Sequence, residues 1–114
     1  MVEESFPAAE RLRKRSEFLL VQRRGKKLQS PHFLVFVRTG SQPSTRIGIT
    51  VSKKVGGAVQ RNRIKRLVRE VFRRNKSLFP GGKDTVLVTK RNAIEIDYAD
   101  LVQEMRQAFC KWPA

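Results

Sequence analysis

A chain of 114 residues with 39% hydrophobic and 31% charged side chains holds enough Leu, Ile, Val and Phe for one core, which excludes a disordered polypeptide. Its 25 Lys and Arg against 10 Asp and Glu give a formal +15, and self-repulsion on that scale predicts a polyanionic partner: a phosphate backbone that releases counterions, or less well an anionic membrane surface. No apolar run approaches the roughly 18 residues of a membrane span, no export signal opens the chain, and Cys110 and His32, each the only one of its kind, supply neither a disulfide nor a zinc cluster; a soluble cytoplasmic protein is expected.

Residues 1–10 contain Pro7 and three glutamates without a hydrophobic period, and read as a flexible tail ahead of a single RNA-binding domain over 11–114. Ser16 is a candidate N-cap for a short helix from Glu17 to Arg24 that shows Phe18 and Val21 on one side and stops at Gly25. Arg23, Arg24, Lys26 and Lys27 surround that stop. Phe33 to Arg38 reads as a strand, with Phe33, Val35 and Val37 on one face and Leu34, Phe36 and Arg38 on the other. Gly40 to Thr45 then reads as a hairpin loop, and Arg46 to Ser52 as a strand with Ile47, Ile49 and Val51 inward and Gly48, Thr50 and Ser52 on a small, polar face.

Gly56 and Gly57 break the chain before a helix running to about Arg74, and Pro80, Gly81 and Gly82 make the next turn. Asp84 to Arg91 is the following strand. Asp97 is a good N-cap for a last helix in which Leu101, Met105, Ala108, Phe109 and Trp112 recur at spacings of three and four, as a packing stripe does. The order α-β-β-α-β-α, with room for one further short strand, predicts an α+β fold: an α-β sandwich whose helices cover one face of a central, mostly antiparallel sheet.

The charge is concentrated. Between Val51 and Lys76 stand ten Lys and Arg and one acid, Glu70, which is +9 of the +15. At about 100° per residue Ile64, Leu67, Val68 and Val71 form one stripe, and Asn62, Arg66, Arg69 and Arg73 lie nearly opposite, flanked by Arg61, Arg63 and Lys65. Most charged i,i+4 pairs there repel (Arg61/Lys65, Lys65/Arg69 and Arg69/Arg73), at a few tenths of a kcal/mol each, a cost that an external anion would cancel. Arginine's planar fork suits phosphate and stacks on bases. Uncharged Asn62 offers a donor and an acceptor to a base edge or 2′-hydroxyl, or is simply a residue tolerated near a helix start.

The run from Arg46 through Ser52-Lys53-Lys54, Gly56-Gly57 and Arg61-Asn62-Arg63 to Phe72 closely resembles the signature of the bacterial ribonuclease P protein subunit, and looser likeness extends over about residues 11 to 110. The resemblance implies a protein cofactor of a catalytic RNA, the RNA performing the hydrolysis that removes the 5′ leader of precursor tRNA. It implies that the basic helix docks on the RNA subunit through Arg61, Asn62, Arg63, Lys65, Arg66 and Arg69, near magnesium held mainly by that RNA, with Lys53, Lys54 and Arg73 extending the surface. It implies a cleft on the sheet for the single-stranded leader, where Phe18 and Phe36 match aromatic positions and stacking would suit variable sequences. A core role is the alternative for each ring. Gln22 departs from the family, whose members often carry a second aromatic there. Lys90 and Arg91 lie where a basic residue commonly ends the last strand, offering a leader phosphate contact or only a solvated edge charge. The family's fold also implies a left-handed crossover from the strand at Arg46 to that at Asp84, where pattern alone favours a right-handed one.

Two other function classes compete. An independent nuclease needs its own acid, base or metal constellation, yet the acids are scattered and His32 stands alone beside Pro31. A structural RNA binder such as a ribosomal protein would share charge, size and basic helix, and only the helix signature separates it.

Overall fold

The computed structural model describes residues 11–12, 14–39 and 45–110. In chain order it shows α1 (Arg15–Arg24), β1 (Lys26–Gln29), β2 (Phe33–Thr39), β3 (Arg46–Thr50), α2 (Ala58–Arg74), β4 (Lys83–Thr89) and α3 (Tyr98–Phe109), with 3-10 turns at Lys76–Leu78 and Arg91–Glu95. The strands form one sheet in the order β1-β2-β4-β3, antiparallel at β1/β2 and β2/β4 and parallel at β3/β4. The mixed α+β class and mostly antiparallel sheet are as expected. The expected tail at 1–10, the loop at 40–44 and Trp112 lie outside the described residues.

The hairpin expected across Gly40 to Thr45 is corrected by the strand order: β4 lies between β2 and β3. The hairpin is instead β1/β2, turning at Ser30 to His32, with the Ser30 N–H donating to the Phe33 carbonyl at 2.9 Å. Lys26-Lys27-Leu28-Gln29 has no β-branched residue, so propensity does not mark β1; pairing with β2 makes it, and its lysines suit an exposed edge. Two ends also move. The helix begins at Arg15 rather than after Ser16, because Glu17 reaches back to accept from the Lys14 N–H at 3.4 Å. The last strand stops at Thr89, and Arg91 opens a 3-10 turn.

Alternation along the strands divides the apolar residues between two faces. Phe33, Val35, Val37, Ile47 and Leu87 meet Ile64, Val68, Val71 and Phe72 of α2 and Leu101, Met105 and Phe109 of α3 in the main core. Full burial of the four α2 side chains contributes on the order of 6–12 kcal/mol. That exceeds the like-charge cost of about 1–2 kcal/mol along the helix, so packing decides that the basic helix forms. The opposite face carries a second cluster of Leu12, Val21 and Val86 with Phe18, Phe36 and Val88 against it. Helices therefore cover both faces, correcting the one-sided expectation: β2 and β4 present apolar residues on each side, and α1 covers part of the second.

A buried ion pair fixes α1 there. Arg46 and Asp84 face each other across β3/β4, joined by Nε–Oδ1 and Nη2–Oδ2 bonds of 2.9 and 2.8 Å, and Arg46 Nη1 donates to Glu17 Oε2 of α1 at 3.1 Å. The Asp84 hydrogen bonds raise the Arg46 pKa further, against desolvation, so the guanidinium stays charged at any working pH. Removing one partner of such a pair strands a buried charge. Asp84→Ala is therefore expected to lower stability by about 3–5 kcal/mol in urea denaturation; a change within 0.5 kcal/mol, the usual range of about ±0.5 for surface substitutions, would show that the pair holds nothing.

Candidate nucleic-acid interface

Helix α2 starts where Gly57 donates its N–H to Gln60 Oε1 at 2.8 Å, and its inward stripe sets the direction of everything else on it. Within Arg61-Asn62-Arg63 the two arginines are tied back. Arg61 Nε donates to the Gly56 carbonyl at 3.1 Å, and Arg63 Nη1 and Nη2 donate to the Ile94 and Ile96 carbonyls at 3.2 and 2.8 Å. Each guanidinium keeps further N–H donors, now held in a fixed position. Asn62, Arg66 and Arg69 are exposed and form no hydrogen bond or ion pair with the described residues. Lys65 is half-buried on the flank, and Lys53 and Lys54 are exposed in the turn leading from β3.

Arg73 departs from the expected row. Its side chain is only 12% exposed and pairs with Glu70, which also accepts from Arg74 Nε at 2.8 Å. Hydrogen bonding from Arg73, with smaller contributions from Arg74, holds the Glu70 carboxyl below its usual pKa. The single acid of the segment thus offsets part of the charge at the carboxyl end of α2, where Arg73 and Arg74 share it.

On the second sheet face, strand register aligns Lys27, Phe36, Val86 and Gly48 in one row across β1, β2, β4 and β3, and Gln29, Leu34, Val88 and Thr50 in the next. Phe18 and Phe36 are both half-buried, packed against the small cluster. Gly48 is what lets Phe18 lie down: a Cβ there would come within 2.6 Å of the ring. Phe18 also lines a groove of about 270 Å³ at the β3 edge with Arg11, Leu12, Ile47, Gly48, Ile49, Val68 and Arg69, so α1 and the basic face of α2 border one concavity.

Lys90 and Arg91 are placed differently from each other. Arg91 is exposed, whereas Lys90 Nζ donates to the Ser30 carbonyl at 2.7 Å and is half-buried. That bond belongs to a network the sequence reading missed. Buried Glu104 accepts from Ser30 Oγ at 2.5 Å and from the His32 N–H at 2.8 Å, and lies 2.6 Å from His32 Nδ1. His32 therefore does not stand alone; with Asn92 Nδ2 donating to Pro31 O at 3.0 Å, it pins the β1/β2 turn to α3 and to the end of β4. The available signal was an acid inside the apolar stripe of the last helix. Among the described residues no three His, Cys, Asp or Glu side chains gather to hold a metal ion, and no helix is long and apolar enough to cross a membrane.

Known proteins resemble this chain over most of its length. The ribonuclease P family model matches residues 6–112. The ribonuclease P protein component of Geobacter sp. (strain M21) is 46% identical over 109 residues, covering 96% of this chain and 93% of the relative. That of Thermotoga maritima is 46% identical over 92 residues, covering 81% and 79%. The solved structure of the Thermotoga maritima RNase P protein superposes with a TM-score of 0.81 at 36% identity, covering 92% of this chain and 99% of that one.

The contrast between Arg66 and Arg73 is measurable. Arg66→Ala should flatten the slope of log K against log[salt] for a bacterial ribonuclease P RNA by about one unit, one phosphate contact's worth. Arg73→Ala, whose charge Glu70 already offsets, should change it much less. Equal slopes for the two variants would contradict the assignment.

Proposed function

The chain belongs to the ribonuclease P protein family, and from that premise we propose how its two surfaces divide the work of the holoenzyme. It is a protein subunit of ribonuclease P, acting in tRNA 5′ processing with the RNA as catalyst. In our reading the outward face of α2 docks on the RNA subunit through Asn62, Arg66 and Arg69. Arg61 and Arg63 brace that face while offering their remaining donors, and Lys53, Lys54 and Lys65 extend it. The observation that carries this is that Asn62, Arg66 and Arg69 are exposed, with no side-chain partner among the described residues, in a helix whose other side is buried. Arg73 contributes at most weakly.

The second surface is proposed to hold the 5′ leader of precursor tRNA. Phe18 and Phe36 are half-buried on the sheet face that α1 partly covers, with Lys27 and Thr50 in adjoining rows and Arg91 beyond the end of β4. Aromatic faces stack on any base for roughly 1–3 kcal/mol, which fits leaders of varied sequence. Arg91 meets a leader phosphate in this reading; Lys90 acts there while holding the Ser30 turn. Among the described residues no three His, Cys, Asp or Glu side chains gather to hold an ion; magnesium is proposed as held mainly by the RNA, and no step is routed through a metal on the protein. Residues 11–114 are read as one RNA-binding domain working in the cytoplasm.

Phe36→Leu keeps apolar packing and removes the aromatic face. It is expected to leave affinity for the RNA subunit unchanged and to reduce the holoenzyme's preference for leader-bearing over leaderless tRNA by about tenfold, the value of one stacked base. Loss of RNA-subunit affinity in step with that preference would assign Phe36 to the fold instead.

A further inference from the structure

The charge outside α2 is organised as well. At the end of the sheet where β2 finishes and β4 begins, Arg24, Lys26, Val37, Arg38, Thr39 and Lys83 line an open groove of about 410 Å³. Four of the six are cations, and among the described residues no acid lines it. Asp84, cross-strand partner of Arg38, is engaged by both donors of the Arg46 fork. Lys83 Nζ donates to Thr39 Oγ1 at 3.1 Å, which fixes an ammonium beside a hydroxyl. The α1 end is held tightly against the same place: a Cβ on Gly25 would lie 2.5 Å from the Val21 carbonyl oxygen and 2.8 Å from that of Val37. Only glycine lets the chain pass, and its passage sets Arg24 and Lys26 on either side of the β2 end.

None of the six residues that line the groove belongs to α2. Because β3 and β4 are parallel and β2 antiparallel to both, Thr39 and Lys83 lie at one end of the sheet, while Thr50, the turn carrying Lys53 and Lys54, and Lys90 lie at the other. Seven residues of β4 span about 20 Å between those ends, at roughly 3.3 Å per residue. That is more than twice the Debye length of about 8 Å at physiological salt, so the groove and the Lys53–Lys54 turn are electrostatically separate. The lining holds guanidinium, ammonium and hydroxyl groups and no aromatic ring, a composition that grips phosphates and leaves bases unread. A single-stranded leader would call for stacking surfaces; a folded RNA presents its backbone.

We propose that this groove is a second docking site for the sugar-phosphate backbone of the catalytic RNA, so that the protein grips its RNA at both ends of the sheet. The proposal extends the α2 reading and is tested apart from it. The salt dependence of binding to the catalytic RNA alone is measured for Arg24→Gln/Lys83→Gln, for Arg66→Ala and for the triple variant, with Arg24→Lys/Lys83→Arg as the charge-conserving control. The double variant should flatten the slope by about two units, the control should keep it, and the effect should add to that of Arg66→Ala. If only Arg66→Ala is silent, the α2 reading fails and the groove stands. An unchanged slope in the double variant overturns the proposal, whether nothing else changes or holoenzyme affinity for precursor tRNA falls, which would make the substrate the occupant. Loss of slope in the charge-conserving control also overturns it, since the residues would then be structural.

Discussion

The scarcity of acids governs this molecule: among the described residues five of the seven carboxylates are spent on structure, and only Glu95 and Asp100 are left exposed without a partner. Asp84 and Glu17 hold Arg46, Glu104 holds the Ser30–His32 turn, Glu70 holds Arg73 and Arg74, and Asp97 caps α3 by accepting from the Asp100 N–H at 2.8 Å. A chain of +15 would repel itself if its carboxylates were placed at random. Here the buried and bracing positions take most of those described, and the proposed RNA surfaces of α2 and of the β2 end keep a net positive field.

That allocation also sets the geometry of the open sheet face. Arg46 links two parallel strands to α1, and the position of α1 decides where Phe18 lies over Gly48 and how much of Phe36 stays uncovered. The same α2 stripe that seals the main core turns Asn62, Arg66 and Arg69 outward. One buried ion pair and one apolar stripe thus place the two candidate RNA surfaces on different sides of a rigid sheet, with the β3 groove beside Arg69 between them.

Local pattern made α2, β2, β3 and the stripe of α3 legible, since their periods of 3.6 and 2 follow directly from which face is buried. The face alternation of Phe33 to Arg38 and the buried Ile64, Val68 and Val71 are as the pattern predicts. What pattern does not carry is pairing between distant segments. Lys26–Gln29 becomes a strand only through β2, and β4 inserts between β2 and β3 only because α2 carries the chain across. Arg73 matched the exposed row by angle, yet Glu70 three residues back draws it in; His32 looked solitary because Glu104 is 72 residues away. Arg61-Asn62-Arg63 identified the family, but which of its donors face inward is a tertiary fact set by the Ile94 and Ile96 carbonyls.

The central claim is that this chain supplies binding surfaces to a catalytic RNA and no chemistry of its own. Reconstitution tests it most directly: the protein is added to a bacterial ribonuclease P RNA at magnesium concentrations too low for the RNA alone, and 5′ cleavage of precursor tRNA is followed. Cleavage at the leader junction only when both subunits are present is the predicted result. Cleavage by the protein without RNA, or no stimulation of the RNA at any protein concentration, would contradict the account.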